Sequence, residues 1–346
     1  MDRKKLEELR ASYPADKPDA SHHPEFKQAL ETIFAGTDRR PKPYEGVSTF
    51  LGAPLGLDAL QRDDLAGLDV ALIGVPLDLG VTNRPGARFG PRAVRGIERI
   101  GPYHHVHRIL PLSAVKTADV GDVPFRSRYS LDASIEDIEA LFARVAAAGV
   151  TPLAVGGDHS ITFPILKALG AKQPVGLVHI DAHCDTGPPF EGAKFHHGGP
   201  FRNAVLAGVL DPERTIQIGI RGGAEYLWEF SYLSGMTVVH AEELAGLGVA
   251  DIVKKIHAVV GTGPTYISFD IDSLDPAFAP GTGTPEIGGL STREALDLVR
   301  GCAGLNVIGG DVVEVAPQYD ATTNTAQAGA QMLFELLALV ALARGQ

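Results

Sequence analysis

Cysteine is scarce in this chain. Cys184 and Cys302 are the only two in 346 residues, too few for a disulfide framework, which points to a reducing compartment. Positive charge is also short: 31 Lys and Arg stand against 42 Asp and Glu, a formal net charge of -11. Nucleic-acid binding rests on clustered basic side chains, so a nucleic-acid partner is not expected. A small cationic substrate would be drawn toward such a surface. No apolar run approaches the roughly 20 residues that span a bilayer, so no membrane partner is expected either. The stretch Met1 to Arg10 is charged and lacks the apolar centre of a secretory signal. Together these absences predict a cytoplasmic protein.

What is present suits a large globular core, with 45% hydrophobic and 21% charged residues. Residues 1–45, rich in Pro, His and charge and carrying helical patterns at 4–10 and 24–34, read as an N-terminal arm. Residues 46–346 read as one catalytic domain. Apolar strand patterns occur at 68–76, 151–155, 175–180, 215–220, 237–240, 265–269 and 306–313. Helical patterns lie between and after them, at 90–100, 135–148, 163–169, 200–207, 250–260, 292–301 and 325–343. This alternation predicts an α/β fold of three layers, α/β/α, with a mostly parallel sheet covered on both faces. In such folds ligands bind at the carboxyl ends of the strands.

The chemistry-bearing residues fall at those ends. The run GLVHIDAHCDT places Asp181, His183 and Asp185 at alternate positions as a strand finishes, and strand alternation would turn Ala182 and Cys184 the other way. The run ISFDIDSLDP repeats the spacing with Asp270 and Asp272. In LAVGGDHS a glycine pair permits a sharp turn that presents Asp158 and His159 at a strand tip. Each motif alone has an ordinary explanation: a capped loop, a strand-to-helix turn with an Asp cap, or a turn ahead of Pro276. Three of them at strand ends of one sheet point to a shared site. Clustered buried carboxylates repel one another unless cations neutralise them, and two cations are needed here. An N/O donor set without thiolate suits Mn²⁺ first, with Ni²⁺, Zn²⁺ or Fe²⁺ as alternatives. A pair of cations roughly 3.5 to 4 Å apart makes a shared water acidic near neutral pH.

The motifs GGDHS, HIDAHCDT and SFDIDSLDPAFAPGTGTPEIGGLS resemble the signatures of the ureohydrolases, the group of arginases, agmatinases, guanidinobutyrases and guanidinopropionases. The resemblance runs from about Leu68 to the C-terminus and takes in RPGARFGPRAVR, HHGGPFRNA and GGDVVEVAPQYD. It implies an arginase-like fold, assembly into homo-trimers or hexamers, and hydrolysis of a small linear guanidino compound to urea and an amine. It further implies that His159, Asp181, Asp185 and Asp270 hold one metal and that Asp181, His183, Asp270 and Asp272 hold the other. Asp185 would also act as a catalytic proton acceptor, Glu314 would receive the guanidinium edge, and His197 would carry a proton to the leaving amine. Spacing favours His197 over His196 in the HHGG sequence.

The DPAFAPGTGTP stretch is closer to agmatinase-like members, while TPEIGGLS and NTAQAGAQMLFELL also resemble guanidino-acid hydrolases. Agmatine is therefore the first substrate expected, with a guanidino acid, guanidine or a biguanide as alternatives. Segments 124–130, 188–195 and 221–228 are the expected cleft rim, where Arg126 and Arg128 would suit a carboxylate tail and Glu191 or Glu225 an amine. Rival readings are a one-zinc amide hydrolase and a noncatalytic metal-binding partner subunit; the complete ligand set with His197 and Glu314 argues against both. The YHHVHR cluster at 103–108 is expected at an exposed or interface position, and Cys184 as a packed thiol facing away from the metals. Arg88 and Arg92 are expected to hold the sheet edge or a subunit contact.

Overall fold

The computed structural model describes residues 2–13, 23–33, 45–57, 65–97, 100–222 and 225–344. Eight strands form one sheet: β1 Val70–Val75, β2 Thr117–Asp122, β3 Thr151–Gly156, β4 Val175–Ile180, β5 Leu210–Ile220, β6 Thr237–His240, β7 Thr265–Asp270 and β8 Val307–Val313. Their order is β2-β1-β3-β8-β7-β4-β5-β6, and every pairing is parallel. The chain works outward from β1 in both directions and returns with β7 and β8 to fill the centre. The strands at 68–76, 151–155, 175–180, 237–240, 265–269 and 306–313 stand within two residues of expectation, while β5 begins five residues early.

Alternation divides the core. Val70, Leu72, Leu153, Val155, Val178 and Ile180 pack on one face with helices Val249–Val260, Thr292–Gly301 and Asn324–Arg344. Ala71, Ile73, Val75, Ala154 and Leu177 pack on the other with helices Leu131–Ala147, Thr162–Leu169 and Pro200–Leu206. Burial on both faces is why these strands read as continuous apolar runs.

The edge strand β2 was not expected. Its sequence TADVGD has no apolar run, and it is held instead by Arg95, which donates to Asp119 Oδ2 at 2.8 Å and Asp122 Oδ1 at 2.6 Å. The short helices Pro111–Ala114, Glu229–Ser234 and Ala241–Leu247 were also unforeseen. Of the arm patterns, helices Arg3–Ser12 and Pro24–Ile33 form, and Phe34 lies outside the described residues.

The final helix corrects one expectation. Asn324–Arg344 is long and apolar enough to cross a membrane by length and composition, but most of it is buried within the protein. It is a core helix packed against β8, and it carries the buried Glu335. Arg300 donates to Glu335 Oε1 at 2.7 Å and Oε2 at 3.0 Å, and His104 Nε2 lies 2.6 Å from Oε2. The YHHVHR cluster is therefore not simply exposed: His104 is buried and stacks on Phe334 and His107. Glu335 draws it inward because a lone carboxylate in a core helix must be paired.

Candidate active site

Four adjacent strands supply the site. His159 follows β3, Glu314 follows β8, Asp270 ends β7 and Asp181 follows β4. In the turn after β3, Gly157 sits at φ +39, and a Cβ there would lie 2.5 Å from the Val75 carbonyl oxygen. Asp158 then accepts from Ser160 N–H at 2.9 Å and Gly80 N–H at 2.8 Å, which aims His159 inward and ties down the loop after β1.

The six expected ligands come together. His159 Nδ1 lies 3.2 Å from Asp181 Oδ2, 3.0 Å from Asp185 Oδ2 and 3.2 Å from Asp270 Oδ2. His183 Nδ1 lies 3.5 Å from Asp181 Oδ1 and 3.2 Å from Asp272 Oδ2. Asp181 thus sends one oxygen to each group. The convergence does not come from strand alternation alone, because β4 ends at Ile180 and Asp185 turns through a left-handed φ of +50. Glu314 is left-handed too, at φ +64. Non-glycine residues rarely adopt this region, and such strain gathers at working sites.

Hydrogen-bond direction decides what the cluster can hold. The Ser268 hydroxyl donates to Asp311 Oδ1 at 2.7 Å, so its oxygen accepts from His159 Nε2–H at 2.8 Å. His159 Nδ1 is then a bare lone pair, buried without a hydrogen-bond partner and ringed by carboxylate oxygens. Lone pairs aimed at one another repel, and a divalent cation between them removes the conflict. Burial and the neighbouring Asp272 and Asp181 push Asp270 well above the ordinary carboxylate range. Burial raises Asp272 as well. The residues therefore fit a pair of cations.

Two supporting residues were missed. His179 Nδ1 accepts from the Gln217 amide at 3.0 Å, and its Nε2–H donates to Asp181 Oδ2 at 2.7 Å. Extending the 181, 183, 185 spacing one step back would have found it. Glu286 Oε1 lies 3.5 Å from His183 Nε2 and backs that ring. Histidines that ligate metals are generally oriented in this way.

His197 borders a cavity of about 400 Å³ that also reaches His183, Asp185, Asp270 and Asp272. Its Nδ1 lies 2.8 Å from Glu314 Oε1, while Nε2 accepts from the Thr82 N–H at 3.0 Å and lies 2.7 Å from Thr82 Oγ1. Burial pulls its pKa down, but Glu314, with the nearby Asp185 and Asp158, more than offsets this and lifts it to about 9. Glu314 is buried behind His197 and does not line the cavity. Its Oε1 also accepts from His159 N–H at 2.9 Å, and its Oε2 is buried without a partner.

The rim differs in part from expectation. Segment 124–130 stays away from the cavity: Arg126 pairs with Glu136 and Asp137 on the helix it precedes, and Arg128 lies over Tyr129. Arg221 donates to the carbonyls of Asp272 and Glu286, both at 2.8 Å, and so braces a loop. Pro188, Phe190, Gly222, Tyr226, Leu227 and Trp228 do line the cavity, but Glu191 and Glu225 do not. Residues 223 and 224 lie outside the described residues. Cys184 is buried but borders the cavity rather than facing away, because the backbone after β4 is no longer a strand. Arg88 pairs with Asp78 in the loop after β1.

Residues 68–339 match the model of the arginase family. This chain belongs to the arginase family. It is 49% identical over 307 residues to a guanidinopropionase of Pseudomonas aeruginosa, covering 87% of this chain and 96% of that one. To the mitochondrial agmatinase of Gallus gallus it is 46% identical over 303 residues, covering 84% and 88%. The solved proclavaminate amidino hydrolase of Streptomyces clavuligerus superposes with a TM-score of 0.83 at 36% identity, covering 88% of this chain and all of that one. An arginase-family chain with this fold and these clusters is a metal-dependent amidinohydrolase.

Proposed function

We propose that this arginase-family enzyme hydrolyses a small linear guanidino compound, agmatine first among candidates, to urea and an amine. The observation that carries the reading is the buried His159 Nδ1 lone pair among three carboxylates, with Asp181 turning its second oxygen to His183. His159, Asp181, Asp185 and Asp270 would hold one divalent cation. Asp181, His183, Asp270 and Asp272 would hold the other, with Mn²⁺ favoured by the N/O donors and Ni²⁺ the alternative. When bound, the pair supplies a water acidic enough to ionise near neutral pH and neutralises the carboxylates.

The chain's own residues do the rest. Glu314 reaches the cavity through His197, whose Nδ1 lies 2.8 Å from Oε1; its buried, unpartnered Oε2 would accept a guanidinium N–H once that ring turns aside. Asp185 takes up the proton of the attacking water. His197 keeps one proton on Nδ1 against Glu314. Its Nε2, which accepts from the Thr82 N–H, takes up a second that Thr82 Oγ1, lining the cavity 2.7 Å away, relays to the leaving amine. Residues 1–45 act as an arm outside this chemistry, and the working form is a cytoplasmic homo-oligomer.

The test is urea release by Mn²⁺-loaded and Ni²⁺-loaded protein across agmatine, guanidino acids, arginine, guanidine and biguanides. Urea from one or more supports the reading. No urea from any, with two metals bound, returns it to an amide hydrolase or a silent subunit.

A further inference from the structure

We infer that the outer part of the cavity is a subsite for a cationic tail, walled by Phe190, Tyr226, Trp228 and His196, and that it discriminates against a carboxylate tail. The inference deepens the proposed guanidine hydrolysis and rests on it. Among the described residues, the lining contains no Lys or Arg to meet an anion. Its threonine hydroxyls are already engaged, which leaves the Tyr226 phenol and the Trp228 indole N–H as its neutral donors. Thr284 Oγ1 donates to Asp272 at 3.0 Å, Thr82 Oγ1 is held by His197, and Thr186 Oγ1 lies 2.9 Å from Ser231 Oγ. A carboxylate tail would lose its water and find only those two neutral side-chain donors in return, with no cation to pair it.

The wall suits the opposite charge. Aromatic faces carry negative potential and attract ammonium and guanidinium groups. The acidic Asp185, Asp270 and Asp272 line the floor, where metals claim them, so the aromatic wall is what remains for the distal end of a substrate.

His196 adds a ring with no free donor for an anion. Its Nε2–H donates to the Pro188 carbonyl at 2.8 Å, which leaves Nδ1 as a lone pair, and that atom is buried with no partner. The ring is fixed in a slot of glycines: a Cβ on Gly199 would stand 3.1 Å from Nε2, and one on Gly198 would stand 3.4 Å from Nδ1. With Nε2–H spent on Pro188 and Nδ1 unprotonated, this ring offers a carboxylate tail no donor.

The experiment compares three probes of equal reach on the metal-loaded enzyme: 4-aminobutylguanidine, butylguanidine and 4-guanidinobutyrate. The expected order of kcat/KM is ammonium, then alkyl, then carboxylate. Trp228→Leu and Phe190→Leu are expected to lower the ammonium-to-alkyl ratio by about 2- to 30-fold, the span of one cation–π contact. A carboxylate tail equal to or better than the ammonium, or losses shared equally by all three probes, would overturn the subsite. The wild-type ranking needs no variant, so a misfolded substitution leaves the test standing. Absence of urea from all three would count against guanidine hydrolysis instead, and calorimetric Kd values for the same probes would still rank the tails.

Discussion

His179 does not face the cavity, yet it fixes the carboxylate shared by the two clusters. Gln217 sets its tautomer and the ring then donates to Asp181. Replacing such a supporting residue usually costs about 10- to 100-fold in metal affinity. His179→Ala is therefore expected to weaken metal binding by that factor, read by competition with a chelating dye, while circular dichroism stays unchanged. Wild-type affinity in the variant would remove His179 from the account. At this scale the sequence was most legible where spacing carried the signal: all six expected ligands meet, and His197 reaches the cavity with Glu314 behind it. His179 and Glu286 were not foreseen because a residue that orients a ligand has no motif of its own. Rim side chains such as Arg126 were misplaced for a different reason. A long exposed cation takes the nearest carboxylates, here Glu136 and Asp137, and local sequence does not reveal which way a loop turns.

Elements were legible in proportion to their burial. The central strands are apolar on both faces and announce themselves, whereas β2 is an acidic edge held by Arg95. The final helix hides its key contact, since Glu335 looks like a solvent-facing charge until Arg300 and His104 close on it. Burial raises the Glu335 pKa, but His104 and Arg300 outweigh it and bring the group from 4.5 to about 2. A carboxylate depressed in the folded state contributes stability that is fully present above about 4.5 and is lost as pH falls through about 2. Glu335→Ala is expected to cost about 3 kcal/mol at pH 7, because it leaves Arg300 and His104 facing an emptied site. The variant's stability should also fall less than wild type's as acid is added. Urea denaturation at several pH values checks both; parallel acid curves would contradict the pairing.

For the molecule as a whole, the crossover order brings four neighbouring strand ends, β3, β8, β7 and β4, to one place, and that convergence is what the site requires. The layers follow from the alternation of strand and helix patterns, but the order of strands does not, because nothing local specifies that β7 and β8 return to the centre. The same convergence stores repulsion among Asp181, Asp185, Asp270 and Asp272, so cations should stabilise the fold as well as serve the reaction. Removal of metal by chelation is expected to lower Tm by several degrees, roughly 2 to 4 °C for each kcal/mol lost in a chain of this size or a little smaller. Readdition of Mn²⁺ should restore it. The most direct test of the central claim is a titration of the metal-free enzyme with Mn²⁺ or Ni²⁺, following metal bound per chain and urea formed from agmatine and related guanidines together. The account predicts that urea formation rises to a plateau at two metals per chain, with one amine released for each urea. Full activity at one metal, or two tightly bound metals with no urea from any guanidine, would contradict it.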